Sequence, residues 1–251
     1  MTRSRLMLRD PRTVARDIPS IVDAIFPQLA PGVVMHMNNS ARGVLLCDAV
    51  SEELVSESKL QHAMLFELAF AAGEQCLDGA EDVDWDAALG SAVRRQRRHF
   101  DAKLPAVLND VDKTIANHVG ENLCWMLEDV AADRRILKSP HIPGYQWIAS
   151  GSGDFACDTT LVEVKCARRR FGASDYRQIM IYWLLSYAAS VEGRGDEWEV
   201  GVLLNPRRNE IVEFRFDDFV AAVGAGRSKV DILELFGWLI GDHSARAIDH
   251  I

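Results

Sequence analysis

Residues Asp175 to Ala189, reading DYRQIMIYWLLSYAA, form a predicted helix capped by Ser174 and apolar on nearly every side. A helix of that kind has no face to give to water, so the chain must build a layer on each side of it. The neighbouring sequence offers the material. Gly153–Cys157 and Leu161–Ala167 read as strands before it. Trp198–Leu204 and Glu210–Phe216 read as a strand pair after it, joined by Asn205-Pro-Arg-Arg-Asn, a turn by composition. Further upstream, Ile115, Val119, Leu123, Met126, Leu127 and Val130 recur at helical spacing from Val111 onward. Pro140-His-Ile-Pro-Gly then separates that helix from Tyr145–Ile148, a further predicted strand. Asp217 onward reads as one or two helices. The order α-β-β-β-α-β-β predicts an α/β fold for residues 111–251, with a mixed central sheet flanked by helices.

Residues 1–110 show no repeat and no catalytic motif. Helices are expected at Ser20–Phe26, at Ser51–Cys76 with Ser51 as cap and Glu52 and Glu53 in the first turn, and from Trp85 to about Leu108. Val33–Met37 and Gly43–Cys47 read as a hairpin. The expectation is a mostly helical N-terminal region whose role the sequence leaves open.

The chain has 251 residues, 48% hydrophobic and 26% charged, enough for one large domain or two modest ones. No apolar run approaches the ~18 residues of a membrane span, and the first ten residues hold no apolar stretch of a secretory signal. Cys47, Cys76, Cys124, Cys157 and Cys166 are widely spaced and without a Cys-x-x-Cys, as expected of reduced thiols in a cytoplasmic protein. A net charge of −9 disfavours a general nucleic-acid binder, yet the arginines cluster at 94–98, 134–135, 168–170 and 207–208. The triplet Arg168, Arg169 and Arg170 follows closely on Lys165, where a basic loop beside an acidic site would suit a phosphate backbone.

That acidic site is the second notable feature. In Leu161-Val162-Glu163-Val164-Lys165, alternation puts Glu163 and Lys165 on the face of Leu161, and Val162 and Val164 on the other. Charges on a Val-rich strand are expensive to bury unless compensated, so the choices are a solvated face, an ion pair or a metal site. With Asp158-Thr159-Thr160 as the turn, Asp154 falls opposite Val164 and beside Glu163, while Asp158 sits at the tip, roughly 13 Å away. Asp154 and Glu163 can therefore share a cation, and oxygen ligands alone suit Mg²⁺ or Mn²⁺. Lys165 would hold or deprotonate a water there.

Pro143-Gly-Tyr, then Gly153-Asp-Phe-Ala-Cys-Asp-Thr-Thr-Leu-Val-Glu-Val-Lys, resembles the PD-(D/E)XK nuclease superfamily, with its acid, short turn and Glu-x-Lys strand. Gln178-Ile-Met-Ile-Tyr182 is similar to the Gln-x-x-x-Tyr signature of the RecB-like branch, and Gly120-Glu121 to a Gly-Glu pair on the first helix of several members. The resemblance covers about residues 115–216. It implies a restriction-endonuclease-like core and a Mg²⁺- or Mn²⁺-dependent nuclease leaving 5′-phosphates, with DNA as substrate by the same analogy and RNA left open. Asp154, Glu163, Lys165, Gln178 and Tyr182 would be catalytic, with Glu121 and the Val164 carbonyl as further metal ligands. The helical wheel turns Glu121 away from the apolar stripe, so exposed surface is its competing placement. No P-loop motif is present, so any helicase or ATPase would be a partner. The competing reading is a catalytically silent scaffold or nucleic-acid-binding subunit of a multi-protein system such as phage defence.

Overall fold

The computed structural model describes residues 8–96 and 107–249. The protein is α/β: a five-stranded mixed sheet lies between helical layers, after an N-terminal helical region. The sheet runs β1 (Leu137–Lys138), β4 (Phe155–Cys157), β5 (Thr160–Val164), β6 (Val200–Asn205) and β7 (Glu210–Arg215) in spatial order. A separate ribbon pairs β2 (His141–Ile142) with β3 (Gly151–Ser152). β5 is antiparallel to β4 and parallel to β6. A parallel pair needs a crossover, and helix α8 (Ala173–Val191) supplies it.

The register sorts the side chains into two cores. Leu161, Leu203, Val212 and Phe214 face α8, whose Trp183 stacks between Tyr187 and Phe216 with no solvent exposure. Phe155, Val162, Val164, Val202 and Leu204 face the other way, onto Leu123, Met126, Leu127 and Val130 of α7 (Asp110–Ala131). Each such apolar side chain contributes about 1.5–3 kcal/mol by leaving water, so the sheet is anchored on both faces. Gly201 is required on the α8 side, because a Cβ there would lie 2.8 Å from the Phe214 ring.

Residues on both sides of position 110 share these cores. Helices α1 (Pro11–Asp17), α2 (Pro19–Ile25) and α3 (Pro31–Asn39) add Val14, Ile21, Val22, Ile25 and Val34 to the α8 layer. Arg177 of α8 bonds Asp23 of α2 at 2.6 Å. After α4 (Glu52–Glu57), helix α5 (His62–Leu77) crosses α7 where Gly73 meets Gly120, with backbone so close that a Cβ on either would lie 2.9 Å from the other's main chain. α6 (Trp85–Gln96) packs on α5, and α9 (Phe216–Val223) and α10 (Lys229–Asp249) close the C-terminal side.

Several expected elements differ. The hairpin at 33–47 is instead α3 and an irregular loop: Pro31 opens a helix, and Val34 and Asn38 are both buried one turn apart. The single helix at 51–76 is two, parted where Ser58 Oγ donates to Asp112 at 2.6 Å and accepts the Leu60 N–H. Ser51 does cap the first. Tyr145–Ile148 is a tight turn with Gln146 at φ 52°, not a strand. The cap residue of α8 is Gly172 and not Ser174, and Asp175 in the first turn reaches back to accept the Gly172 N–H at 2.8 Å. The helix from Trp85 is seen to Gln96; its expected continuation past there, with Arg97 and Arg98, lies outside the described residues up to 106. Among the described residues no helix is long and apolar enough to cross a membrane.

Candidate functional site

The site begins with the hairpin turn. Asp158 and Thr159 form it alone, with Asp158 at φ 48°, a left-handed conformation that Asp tolerates. Thr160 therefore opens β5 and pairs with Cys157, one residue from the expected register. The correction matters. Continued past Phe155, it sets Asp154 opposite Glu163 and on its face, and not opposite Val164, whose side chain points into the α7 core. Asp154 then caps the end of the short β4: its Oδ2 accepts the Val164 N–H at 2.9 Å. The Val164 carbonyl leaves the strand on that same edge. Asp158 stays exposed at the tip, as expected.

Glu163 is buried, with 1% exposure, at the end of β5 where α8 passes over the sheet. Its Oε1 accepts Lys165 Nζ at 2.8 Å and Gln178 Nε2 at 2.6 Å. Gln178 Oε1 accepts a second bond from Lys165 at 2.8 Å, and its amide also donates to the Tyr182 hydroxyl at 2.9 Å. The two α8 residues lie one turn apart, so helix pitch puts both over the Glu163 carboxylate. Glu163 Oε2 has no hydrogen-bond partner. Burial, and then the nearby Asp154 charge, push the Glu163 carboxyl up to about 7, against the opposing pull of Lys165 and Arg12. Burial likewise raises the Tyr182 phenol, with Glu163 adding to the effect.

Glu163, Lys165, Gln178 and Tyr182 are thus joined in one network, which Asp154 enters only through Arg12, and Asp154, Glu163 and Lys165 line a cleft of about 260 Å³ together with Arg12 and Val164. Arg12 was not foreseen. It comes from α1, where its Nη2 bonds Asp154 Oδ1 at 2.6 Å and its Nε donates to Tyr182 at 2.8 Å. Burial opposes the Arg12 charge, but Asp154, Glu163 and Tyr182 outweigh it and hold the guanidinium above its ordinary value. The signal that existed was Asp10-Pro11, a helix cap and first position, which predicts α1 but not the partner of its arginine.

Glu121 does not join the site. It accepts from Asn117 at 2.8 Å and lines a surface hollow of about 520 Å³ with Glu81, Trp85 and Lys113. It sits on the side of α7 turned away from the sheet, half-buried and not fully exposed. The helix carboxylate that feels Asp154 is Glu67 of α5: burial raises its pKa, Arg95 at 3.8 Å opposes this, and Asp154 adds to the rise. The basic triplet is internally paired. Arg169 grips Asp175 at 2.7 Å, Arg170 bonds Glu210 and the Asn38 carbonyl, and Arg168 reaches Glu52 at 3.5 Å.

Among the described residues, no three His, Cys, Asp or Glu side chains cluster as a metal site by themselves. Asp154 and Glu163 supply two carboxylates, one with a buried oxygen lacking any donor, and the Val164 carbonyl supplies a neutral oxygen. A buried anionic oxygen left unpaired costs more than the ~1–3 kcal/mol of a neutral group, and a hard cation is the partner its chemistry calls for. These are oxygen donors of the kind Mg²⁺ or Mn²⁺ takes; both Asp154 oxygens already accept, from Arg12 and the Val164 N–H, so an ion here would have to displace Arg12. No family model, curated protein or solved structure matches this chain.

Proposed function

We propose that the protein is a metal-dependent nuclease that hydrolyses phosphodiester bonds, with DNA as the favoured substrate and 5′-phosphate products by its resemblance to PD-(D/E)XK enzymes. The observation that supports this most is the buried Glu163: a carboxylate held by Lys165 and Gln178 on one oxygen and by nothing on the other, beside Asp154. A purely structural ion pair has no use for the orphaned oxygen, which costs stability.

Asp154, Glu163 and the Val164 carbonyl would hold Mg²⁺ or Mn²⁺, which when bound would screen charge on the scissile phosphate and make an attacking water more acidic. Lys165 reaches the cleft from just past the end of β5 and can hold that water by a hydrogen bond while its charge faces the phosphate. Gln178 fixes Lys165 through its carbonyl and Glu163 through its amide, so a single side chain sets the spacing of the two. Tyr182 orients the Gln178 amide in turn.

One observation favours the alternative, a catalytically silent nuclease-fold subunit of a larger assembly: Arg12 already satisfies Asp154 from within the chain. Purified protein with Mg²⁺ or Mn²⁺, presented with linear, circular and single-stranded DNA and with RNA, separates the two. Cleavage that stops with EDTA and is lost in Glu163→Gln is expected. Intact substrates across the whole panel would refute the enzyme.

A further inference from the structure

We propose that Arg12 is a substrate-phosphate contact that Asp154 holds in reserve, and that a divalent ion and the Arg12 guanidinium are alternative partners of the Asp154 carboxylate. The inference rests on the nuclease reading and adds to it a residue from the helical N-terminal region.

The first support is the way Arg12 is delivered. Asp10 caps α1 by accepting the Arg12 N–H at 2.8 Å, and Val14 and Ala15 are buried beneath. The preceding residue is strapped to the approach to β3: Arg9 N–H donates to the Trp147 carbonyl, and the Ala149 N–H donates to the Arg9 carbonyl at 2.9 Å. Gly151 lets Pro11 come close, since a Cβ there would lie 3.1 Å from the Pro11 ring. The backbone of Arg12 is therefore tied to the segment that leads into Asp154, and only the side chain is free to change partners.

The second support is electrostatic. The Arg12 side chain is 50% exposed while its partner Asp154 is 12% exposed, which puts the cation at the cleft mouth and the anion inside. The attraction that holds it comes from Asp154 and Glu163, the same two carboxylates that would bind the ion. Two positive charges added between them would cancel their net charge and remove most of that attraction. Tyr182 would still hold Nε at 2.8 Å, so the guanidinium would stay in the cleft with its Nη donors turned to the next available anion. A phosphodiester entering the cleft is that anion, and the fork of a guanidinium suits its oxygens. Lys165 and Arg169 line the same cleft but are held by Glu163 and Asp175, so in a chain of net charge −9 Arg12 would add a third cation, the one whose partner the ion would take.

The test uses the whole protein and two binding measurements: Mn²⁺ affinity by titration calorimetry, and affinity for a short fluorescent phosphorothioate oligodeoxynucleotide with Mn²⁺ present. Arg12→Gln should bind Mn²⁺ about fivefold more tightly, the equivalent of losing a competing ion pair of about 1 kcal/mol. It should bind the oligonucleotide about tenfold more weakly, as expected for a lost charge-assisted contact. Arg12→Lys, which keeps the charge, should match wild type for Mn²⁺, and it guards against a folding defect in the neutral variant. Equal Mn²⁺ affinity in wild type and Arg12→Gln overturns the proposal alone, as does equal oligonucleotide affinity. Absence of Mn²⁺ binding in both proteins overturns the nuclease reading, and this proposal with it.

Discussion

Glu163→Gln is expected to stabilise the metal-free protein at pH 8 and to leave it little changed at pH 5. The folded protein holds the Glu163 proton up to about pH 7, whereas an unperturbed glutamate releases it near 4.5. Between those values the folded state binds more protons than the unfolded one, so stability falls as pH rises. The penalty is absent below about pH 4.5 and complete above about 7. At about 1.4 kcal/mol per pH unit, the span corresponds to a penalty on the order of 3 kcal/mol at pH 8. In the glutamine variant the carbonyl can still accept from Lys165 and Gln178, and the amide replaces the oxygen that lacks a donor. Urea unfolding in EDTA at the two pH values measures the difference directly. A variant equally stable relative to wild type at both, or weaker at pH 8, would refute the argument that desolvation of Glu163 dominates. Added Mn²⁺ should close most of the gap at pH 8, since only wild type gains from mass action, by about 2.7 kcal/mol at a hundredfold excess over Kd, and should reverse the ranking at a thousandfold excess, about 4.1 kcal/mol.

Lys165→Met should lower kcat by roughly 10²–10³ while leaving oligonucleotide affinity within a few fold, read from single-turnover cleavage against binding. In the basic triplet, Arg168, 79% exposed, should be replaceable by Gln without loss of Tm, whereas Arg169→Gln should lower it by freeing the buried Asp175 that bonds the cap residue of α8. If the triplet also contacts substrate, replacing all three should reduce the salt-dependence slope of binding by about one per lost phosphate contact. Gly120→Ala should cost about 1–3 kcal/mol in urea unfolding, because its Cβ would lie 2.9 Å from the Gly73 nitrogen and 3.1 Å from the Ala69 carbonyl, and backbone cannot give way.

What could be read from the sequence was what is written locally. The α8 helix, the amphipathic α7 and the strands β4 to β7 follow from periodicity, because burial on both faces leaves few alternatives for such apolar runs. The segment 31–39 misled because Val33-Val-Met-His-Met is a short apolar run before an Asn-rich stretch, which a strand and a helix can both give, and tertiary burial of Val34 with Asn38 goes with the helix. The one-residue slip in the hairpin has a definite cause too. Asp158 accepts a positive φ, so two residues suffice for a turn that composition alone would give three.

The partners of the site lie at another range. Glu163, Lys165, Gln178 and Tyr182 fall within twenty positions, where strand alternation and helical pitch determine which side chains meet. Arg12 reaches Asp154 across 142 positions of sequence, and Glu67 reaches the same neighbourhood from α5. No periodicity connects such residues. They meet because α1 is buried against α8 and because Phe70, one helical turn from Glu67, stacks on Phe155 next to Asp154. Those contacts depend on core volume rather than on a pattern of residue types. Glu121 shows the converse: a residue with the right neighbour in sequence, Gly120, is turned outward because that glycine is spent on the close crossing with Gly73. With Gly120 facing α5, the pitch of α7 carries the next residue about 100° further round the helix, where Glu121 meets Asn117 and not the cleft of Glu163.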